Sequence, residues 1–276
     1  IDEARSLLAA AGSDARIVAK IERSEAIPRL DEIVQASDAV MVARGDLGIE
    51  VGYAELTGLQ KHILQVARKH DRVTITATQM MESMIQSPVP TRAEVSDVAN
   101  AVLDGSDAVM LSGESAVGKY PVRAVEAMSE VIVGAEKYQI ARNIRGERFE
   151  GRVSEFAQAI AHAVMYTANH MAVEAIVALT ESGATPLWMS RIRSDIPIFA
   201  FTRNERTRRR VALYRGVYPI PFDITHTDPA ELYKAISREL IERNFLRSGD
   251  EIILTLGEFS GVSGGTNTMK LLEVSA

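Results

Sequence analysis

Short apolar runs alternate with segments of helical period along this chain, and that alternation restricts its fold more than any other feature. In the first half the runs are Ile17-Val18-Ala19-Lys20-Ile21-Glu22, Ala39-Val40-Met41-Val42, Val73-Thr74-Ile75-Thr76-Ala77-Thr78-Gln79 and Ala108-Val109-Met110-Leu111-Ser112-Gly113-Glu114. Each has the length of a strand, and the intervals leave room for a returning helix. Between them Leu56, Leu59, Ile63, Val66 and Ala67 fall at helical spacing, as do Val95, Val98, Ala99, Val102 and Leu103. Thr91 and Glu94 stand at the spacing of a capping box before the second of these helices. Strands alternating with helices imply a parallel sheet, closed into a barrel or open. Both architectures place their site at the carboxyl ends of the strands.

After a helix expected over 121–136 the texture changes. Residues 141–152 are charged and contain glycine, as a boundary loop would. Beyond it the alternation resumes, with helices expected over 154–170, near 186–193 and near 230–244. Strands are expected over 175–179, 197–201, 251–255 and 269–274. The reading is of two α/β domains, residues 1–138 and a smaller one at 139–276.

Composition narrows the function. The 276 residues suffice for a sizeable core, and 46% hydrophobic with 25% charged residues is ordinary for a globular chain. A net charge of −6 speaks against a nucleic-acid partner. With no cysteine, disulfides and thiolate metal sites are excluded. No apolar run approaches the ~20 residues of a membrane span and no signal peptide opens the chain, so a cytoplasmic protein is expected. The first residue is Ile1, not Met, which suggests a piece of a longer protein.

Chemistry gathers at the strand ends. Lys20 and Glu22 are two residues apart at the end of the first run, where i and i+2 share a face. Asp46 follows the second run, just after Gly45, a residue that lets backbone approach a ligand. One ammonium and two carboxylates at neighbouring strand ends can hold a divalent metal and stabilise an oxyanion beside it. A surface Lys20–Glu22 salt bridge is the plainer alternative.

Several motifs together resemble the pyruvate kinase family. Val18-Ala19-Lys20-Ile21-Glu22-Arg23-Ser24-Glu25-Ala26-Ile27 is similar to its active-site signature. Met41-Val42-Ala43-Arg44-Gly45-Asp46-Leu47-Gly48, Ala77-Thr78-Gln79-Met80-Met81-Glu82-Ser83-Met84, Pro90-Thr91-Arg92-Ala93-Glu94, Met110-Leu111-Ser112-Gly113-Glu114 and Thr266-Asn267-Thr268-Met269 match in order and spacing. The resemblance implies the second half of a (β/α)8 TIM-type barrel followed by a smaller α/β regulatory domain, with the first barrel half and an inserted lid outside these residues. It implies a glycolytic phosphotransferase acting on phosphoenolpyruvate and ADP to give pyruvate and ATP, in a homotetramer. Glu22 and Asp46 would hold Mg²⁺ or Mn²⁺, and Lys20 would meet charge on the phosphoryl group and the enolate oxygen. Gly45 and Asp46 would offer N–H groups to the substrate carboxylate. Thr78 would contact substrate and stand on the route that protonates the enolate, through a water or relay because a hydroxyl is a weak acid. Arg44, Ser112 and Glu114 would support these residues from behind. K⁺ is implied too, with ligands on strands outside this chain.

In the second domain Leu179-Thr180-Glu181-Ser182-Gly183-Ala184-Thr185 links a strand to a helix. It resembles the family's effector loop, with Thr180, Ser182, Gly183 and Thr185 as candidate phosphate contacts. The loop 257–265 is rich in glycine, has no positive charge and includes Glu258, which favours a sugar monophosphate or AMP over a bisphosphate. Arg206, Arg208, Arg209 and Arg210 read as a solvated helix face or a subunit contact. Two other functions compete: a metal-dependent aldolase or lyase that stabilises pyruvate enolate, and a non-catalytic regulatory fragment.

Overall fold

The computed structural model describes residues 1–141, 153, 155–223, 231–257 and 264–275, with side chains left aside at 139–141. Residues 142–152 of the boundary loop expected at 141–152, and 258–263 of the glycine-rich loop 257–265, lie outside the described residues. The chain divides into two compact units, residues 1–143 and 144–276.

The first unit opens with α1 (Asp2–Ala10) and then repeats strand and helix. Its strands are β1 (Val18–Ile21), β2 (Ala39–Ala43), β3 (Val73–Ala77) and β4 (Ala108–Met110). They form a four-stranded sheet in the order β1-β2-β3-β4, parallel throughout. Between the strands come α2 (Leu30–Ala36), α3 (Arg44–Val51), α4 (Tyr53–Lys69) and α5 (Arg92–Leu103), and after them α6 (Gly113–Ala116) and α7 (Pro121–Ala141). The central strands β2 and β3 are buried at four of their five positions, as expected for a parallel sheet covered on both faces. The outer strands β1 and β4 are much more open. Val34, Val40, Val42, Ile63 and Ala67 pack one core. Met80, Met81, Met84, Val98, Ala101 and Ala124 pack a second, in which flexible thioethers fill the space beside α5 and α7.

The capping box is formed. Thr91 Oγ1 accepts from Glu94 N–H, and the Glu94 carboxylate accepts from Thr91 N–H at 2.7 Å. The helix α3 was not expected. Arg-Gly-Asp-Leu-Gly carries two poor helix formers, yet the backbone turns helical at Arg44, so Asp46 lies in a first helical turn and not at a strand end.

The second unit has α8 (Phe156–Ala168), β5 (Ala175–Leu179), α9 (Ala184–Ser190), β6 (Ile198–Thr202), α10 (Glu205–Val211), β7 (Val217–Pro221), α11 (Leu232–Glu242), β8 (Glu251–Gly257) and β9 (Thr266–Glu273). The sheet order is β7-β6-β5-β8-β9, with only β9 antiparallel. Both β5 and β6 are buried at every position, and Val177, Phe201, Ile236, Leu240 and Leu254 fill one side. Strand β7 holds Pro219 and Pro221 and stands at the sheet edge, where a missing N–H is tolerated.

Candidate active site

Because β1 to β4 are parallel, their carboxyl ends share one rim. Ile21 is level with Val42, and Ala43 with Ala77, which is level with Met110. Glu22, Arg44, Thr78 and Leu111, each one residue further along, therefore come out together.

Lys20 joins the two carboxylates. Its Nζ donates to Asp46 Oδ2 at 3.1 Å and is ion-paired with Glu22. One ammonium touching both places Glu22 and Asp46 within reach of a single small ion. All three side chains are open to solvent at the rim. The Lys20 ammonium is held above the usual lysine range, first by its hydrogen bond to Glu22 and then by that to Asp46. Asp46 is held below the usual carboxylate range, chiefly by the Lys20 hydrogen bond and charge and further by Glu22. Both stay charged across the neutral range.

The donor set suits one class of metal. Among the described residues, no group of three or more His, Cys, Asp or Glu could hold an ion. Two hard carboxylates are what Mg²⁺ usually takes from a protein, keeping its other positions for water and phosphate oxygens. Zn²⁺ would need three or four ligands, with nitrogen or sulfur among them.

Gly45 and Thr78 meet each other. Gly45 N–H, in the first turn of α3, donates to Thr78 Oγ1 at 2.8 Å, so in this structure it faces the threonine and not an open rim. The Thr78 hydroxyl donates in turn to the Ala77 carbonyl at 2.7 Å. A hydroxyl has one proton and two lone pairs, so one lone pair remains. Such a hydroxyl is better placed to orient a water than to give up its own proton.

Thr78 and Gln79 both have left-handed backbones, at φ 67° and 53°. For a β-branched residue this is an outlier that surrounding structure must enforce. Arg44 lies behind them, its side chain 6% exposed and ion-paired with Asp97. Its guanidinium donates to Thr78 O at 3.0 Å, Gln79 O at 3.1 Å and Met80 Sδ at 2.9 Å. Glu114, in α6, is buried, and its two oxygens accept from Met81 N–H at 3.0 Å and Ser112 N–H at 2.7 Å. Glu94 accepts from both Ser83 N–H and Ser83 Oγ. Three charged side chains from three helices thus grip one loop, 78–83. Asp97 and Glu94 were not among the expected site residues. Asp97 carries no local signal, since it meets Arg44 only through the fold.

In the second unit the loop after β5 closes on itself. Thr180 Oγ1 accepts from Gly183 N–H at 2.9 Å and Ser182 Oγ from Ala184 N–H at 3.4 Å. Gly183 is left-handed at φ 81° and buried. Thr185 is buried, and its hydroxyl pairs with that of Thr266 at 2.8 Å. From α10, Arg210 donates to Ser182 O and Thr207 Oγ1 to Glu181 O. Of the four candidate contacts, Thr180 and Ser182 stay partly exposed, while Gly183 and Thr185 face inward.

Residues 1–125 match the pyruvate kinase barrel-domain family and residues 158–272 the pyruvate kinase alpha/beta-domain family. The chain is 50% identical over 278 aligned residues to a pyruvate kinase of Buchnera aphidicola subsp. Baizongia pistaciae, and equally so to pyruvate kinase II of Salmonella typhimurium, with 99% of this chain covered in each case. A pyruvate kinase of Geobacillus stearothermophilus is 41% identical, over 94% of this chain and 44% of its own length. The chain spans 58% of the length of the first two relatives. Two successive domain matches, together spanning most of the residues, place this chain in the pyruvate kinase family.

Proposed function

We propose that the protein carrying these residues transfers a phosphoryl group from phosphoenolpyruvate to ADP, giving ATP and, after protonation of the enolate, pyruvate. The observation that carries this reading is the convergence of Lys20, Glu22 and Asp46 at one rim. Charge builds first on the transferring phosphoryl group and then on the enolate oxygen, and a fixed ammonium beside both stabilises each. Glu22 and Asp46 would hold Mg²⁺ or Mn²⁺, which supplies Lewis-acid polarisation of phosphoryl and enolate oxygens when bound. Lys20 orients the phosphate and meets its charge, and Thr78 orients the water that delivers a proton to the methylene carbon. K⁺ would act as a second cation through ligands outside these residues.

The first unit fits the second half of a (β/α)8 barrel, a reading supported by four parallel strands in sequential order whose outer members pair with no further strand among the described residues. On this reading the barrel part covers residues 1–138 and the regulatory part 139–276, in a cytoplasmic homotetramer. A sugar monophosphate or AMP would bind the second unit at Thr180 to Thr185, supported by the partly exposed Thr180 and Ser182 hydroxyls beside Arg210. Cleavage of a 2-keto acid is disfavoured by the family to which the chain belongs, and a non-catalytic role by the intact Lys20, Glu22 and Asp46.

A coupled assay of the full-length protein with phosphoenolpyruvate, ADP and Mg²⁺ tests the activity. Pyruvate formation that depends on all three is expected, and its absence would overturn the proposal. Titration with ribose 5-phosphate, glucose 6-phosphate, AMP and fructose 1,6-bisphosphate tests the effector. Activation by the bisphosphate alone would remove the monophosphate reading.

A further inference from the structure

We propose that Arg44 is a positioning residue for Thr78, and that its function is to hold the left-handed pair Thr78–Gln79 in the backbone conformation that presents the threonine hydroxyl at the rim. This rests on the reading of the rim as a phosphoenolpyruvate site. Three features of Arg44 lead there. It donates to the carbonyls of both left-handed residues and to the sulfur of the next one, so a single planar guanidinium fixes three successive residues. All three contacts are made by Nη2 while Nη1 meets Asp97, and a single ammonium could not serve the loop and that carboxylate from two separate nitrogens as the planar fork does. Its charge is met by Asp97 from α5, so its direction is set by a residue outside the loop.

The third feature is cost. The Nε–H of Arg44 is buried with no acceptor among the described residues. A buried guanidinium with an unmet donor is a poor choice for stability alone, since an apolar side chain of similar volume would pack there without that loss. Strained backbone persists where the surroundings over-determine it, and here the over-determining group is identified. Gly45, next to Arg44 in sequence, closes the arrangement by donating to the Thr78 hydroxyl. The carbonyl side of Thr78 is held by the arginine and its hydroxyl by the glycine, so one helix start orients both ends of the residue.

A double-mutant cycle in the full-length enzyme tests this. Arg44→Lys should lower kcat roughly 10- to 100-fold, the range expected when a reacting group is displaced without being removed, while KM for phosphoenolpyruvate stays within about twofold. Exchange of the pyruvate methyl protons with D₂O, followed by NMR, should slow by a similar factor, since that partial reaction isolates the proton-transfer step. Thr78→Ala should slow both, and Arg44→Lys added to Thr78→Ala should cost little more, because the arginine acts through the threonine. Losses that multiply, or an increase in KM at unchanged kcat, would overturn the proposal. Should Arg44→Lys fail to fold, Asp97→Asn removes only the charge that directs the guanidinium, and the same cycle against Thr78→Ala applies with a smaller loss. A parent enzyme that makes no pyruvate would defeat the phosphotransfer reading and this inference together. An active parent with multiplying losses would defeat the inference alone.

Discussion

The loop after β3 and the loop after β5 occupy equivalent places, each following a buried parallel strand, but they are held in different ways. The first is gripped from outside by full charges: Arg44, Glu114 and Glu94 reach residues 78–83 from three helices. The second is held partly by its own hydroxyls, with Thr180 and Ser182 each accepting an N–H two or three residues ahead, and from outside by one helix only, α10, whose Arg210 and Thr207 donate to the carbonyls of Ser182 and Glu181. Hydrogen bonds to charged groups contribute roughly twice what neutral ones do, and external anchors fix a loop relative to its sheet. The first arrangement suits a site that must not move. The second suits one whose donors can be released to an incoming phosphate.

The largest expected effect separates the rim beside the first loop from the second loop by function. Asp46→Ala should lower turnover of the full-length enzyme by roughly a hundredfold or more, since it removes a charge partner of Lys20 and the carboxylate proposed to hold the metal together. Ser182→Asp should leave maximal turnover nearly intact and weaken activation by a sugar phosphate, because it places a fixed negative charge in the cradle. Steady-state kinetics with and without effector checks both, and a Ser182→Asp enzyme with collapsed basal turnover would erase the distinction.

Stability tests sharpen it. Glu114→Ala strips the buried Met81 N–H and the partly buried Ser112 N–H of their acceptor, and a loss of about 2–4 kcal/mol is expected in urea unfolding. A negligible loss would show that the first loop does not depend on its external charges. Gly183→Ala acts on the second loop through the backbone. A Cβ there would come within 2.8 Å of Val211 Cγ1 at φ 81°, so a cost of about 1–2 kcal/mol is expected.

The smallest effect is a pH dependence. Partial burial alone would raise the carboxyl of Glu94, but hydrogen bonds from Ser83 and Thr91 outweigh it and hold the group below the usual glutamate range. A folded value below the unfolded one means this contribution is complete above the ordinary glutamate pKa and is lost as pH falls through the lowered value. Glu94→Gln should therefore cost about 1 kcal/mol near neutrality and flatten the acid side of the stability profile. An unchanged acid limb in chemical unfolding, followed downward from the ordinary glutamate pKa of about 4.3, would contradict that.

Much of this was legible in the chain itself. Period and spacing gave the parallel strands, the capping box at Thr91 and Glu94, and the placing of Lys20 and Glu22 at the end of β1, because each depends on residues close in sequence or on strand geometry. The rest depends on tertiary context. The helix at Arg44 is disguised by two glycines. Proline at 219 and 221 hid β7, which is a strand only because an edge needs fewer N–H donors. Nothing in Ala-Thr-Gln-Met announces two left-handed residues, and the arginine that enforces them lies 34 and 35 positions away. A phosphate cradle was expected of Thr185, whose hydroxyl the fold instead pairs with Thr266.

The outer strands of the first sheet carry a further consequence. Among the described residues nothing pairs with the free sides of β1 and β4, and Val18 and Lys20 are exposed on the first of them. A parallel sheet bare on both flanks offers two rows of unsatisfied amides to any extended segment that drifts past. Handling these residues alone therefore invites self-association through sheet addition, with the ionic cluster sitting beside one such flank. Purified in isolation, the first unit should be judged for solubility before its rim is probed, because assemblies seeded at β1 would cover Lys20 without altering any side chain of the rim.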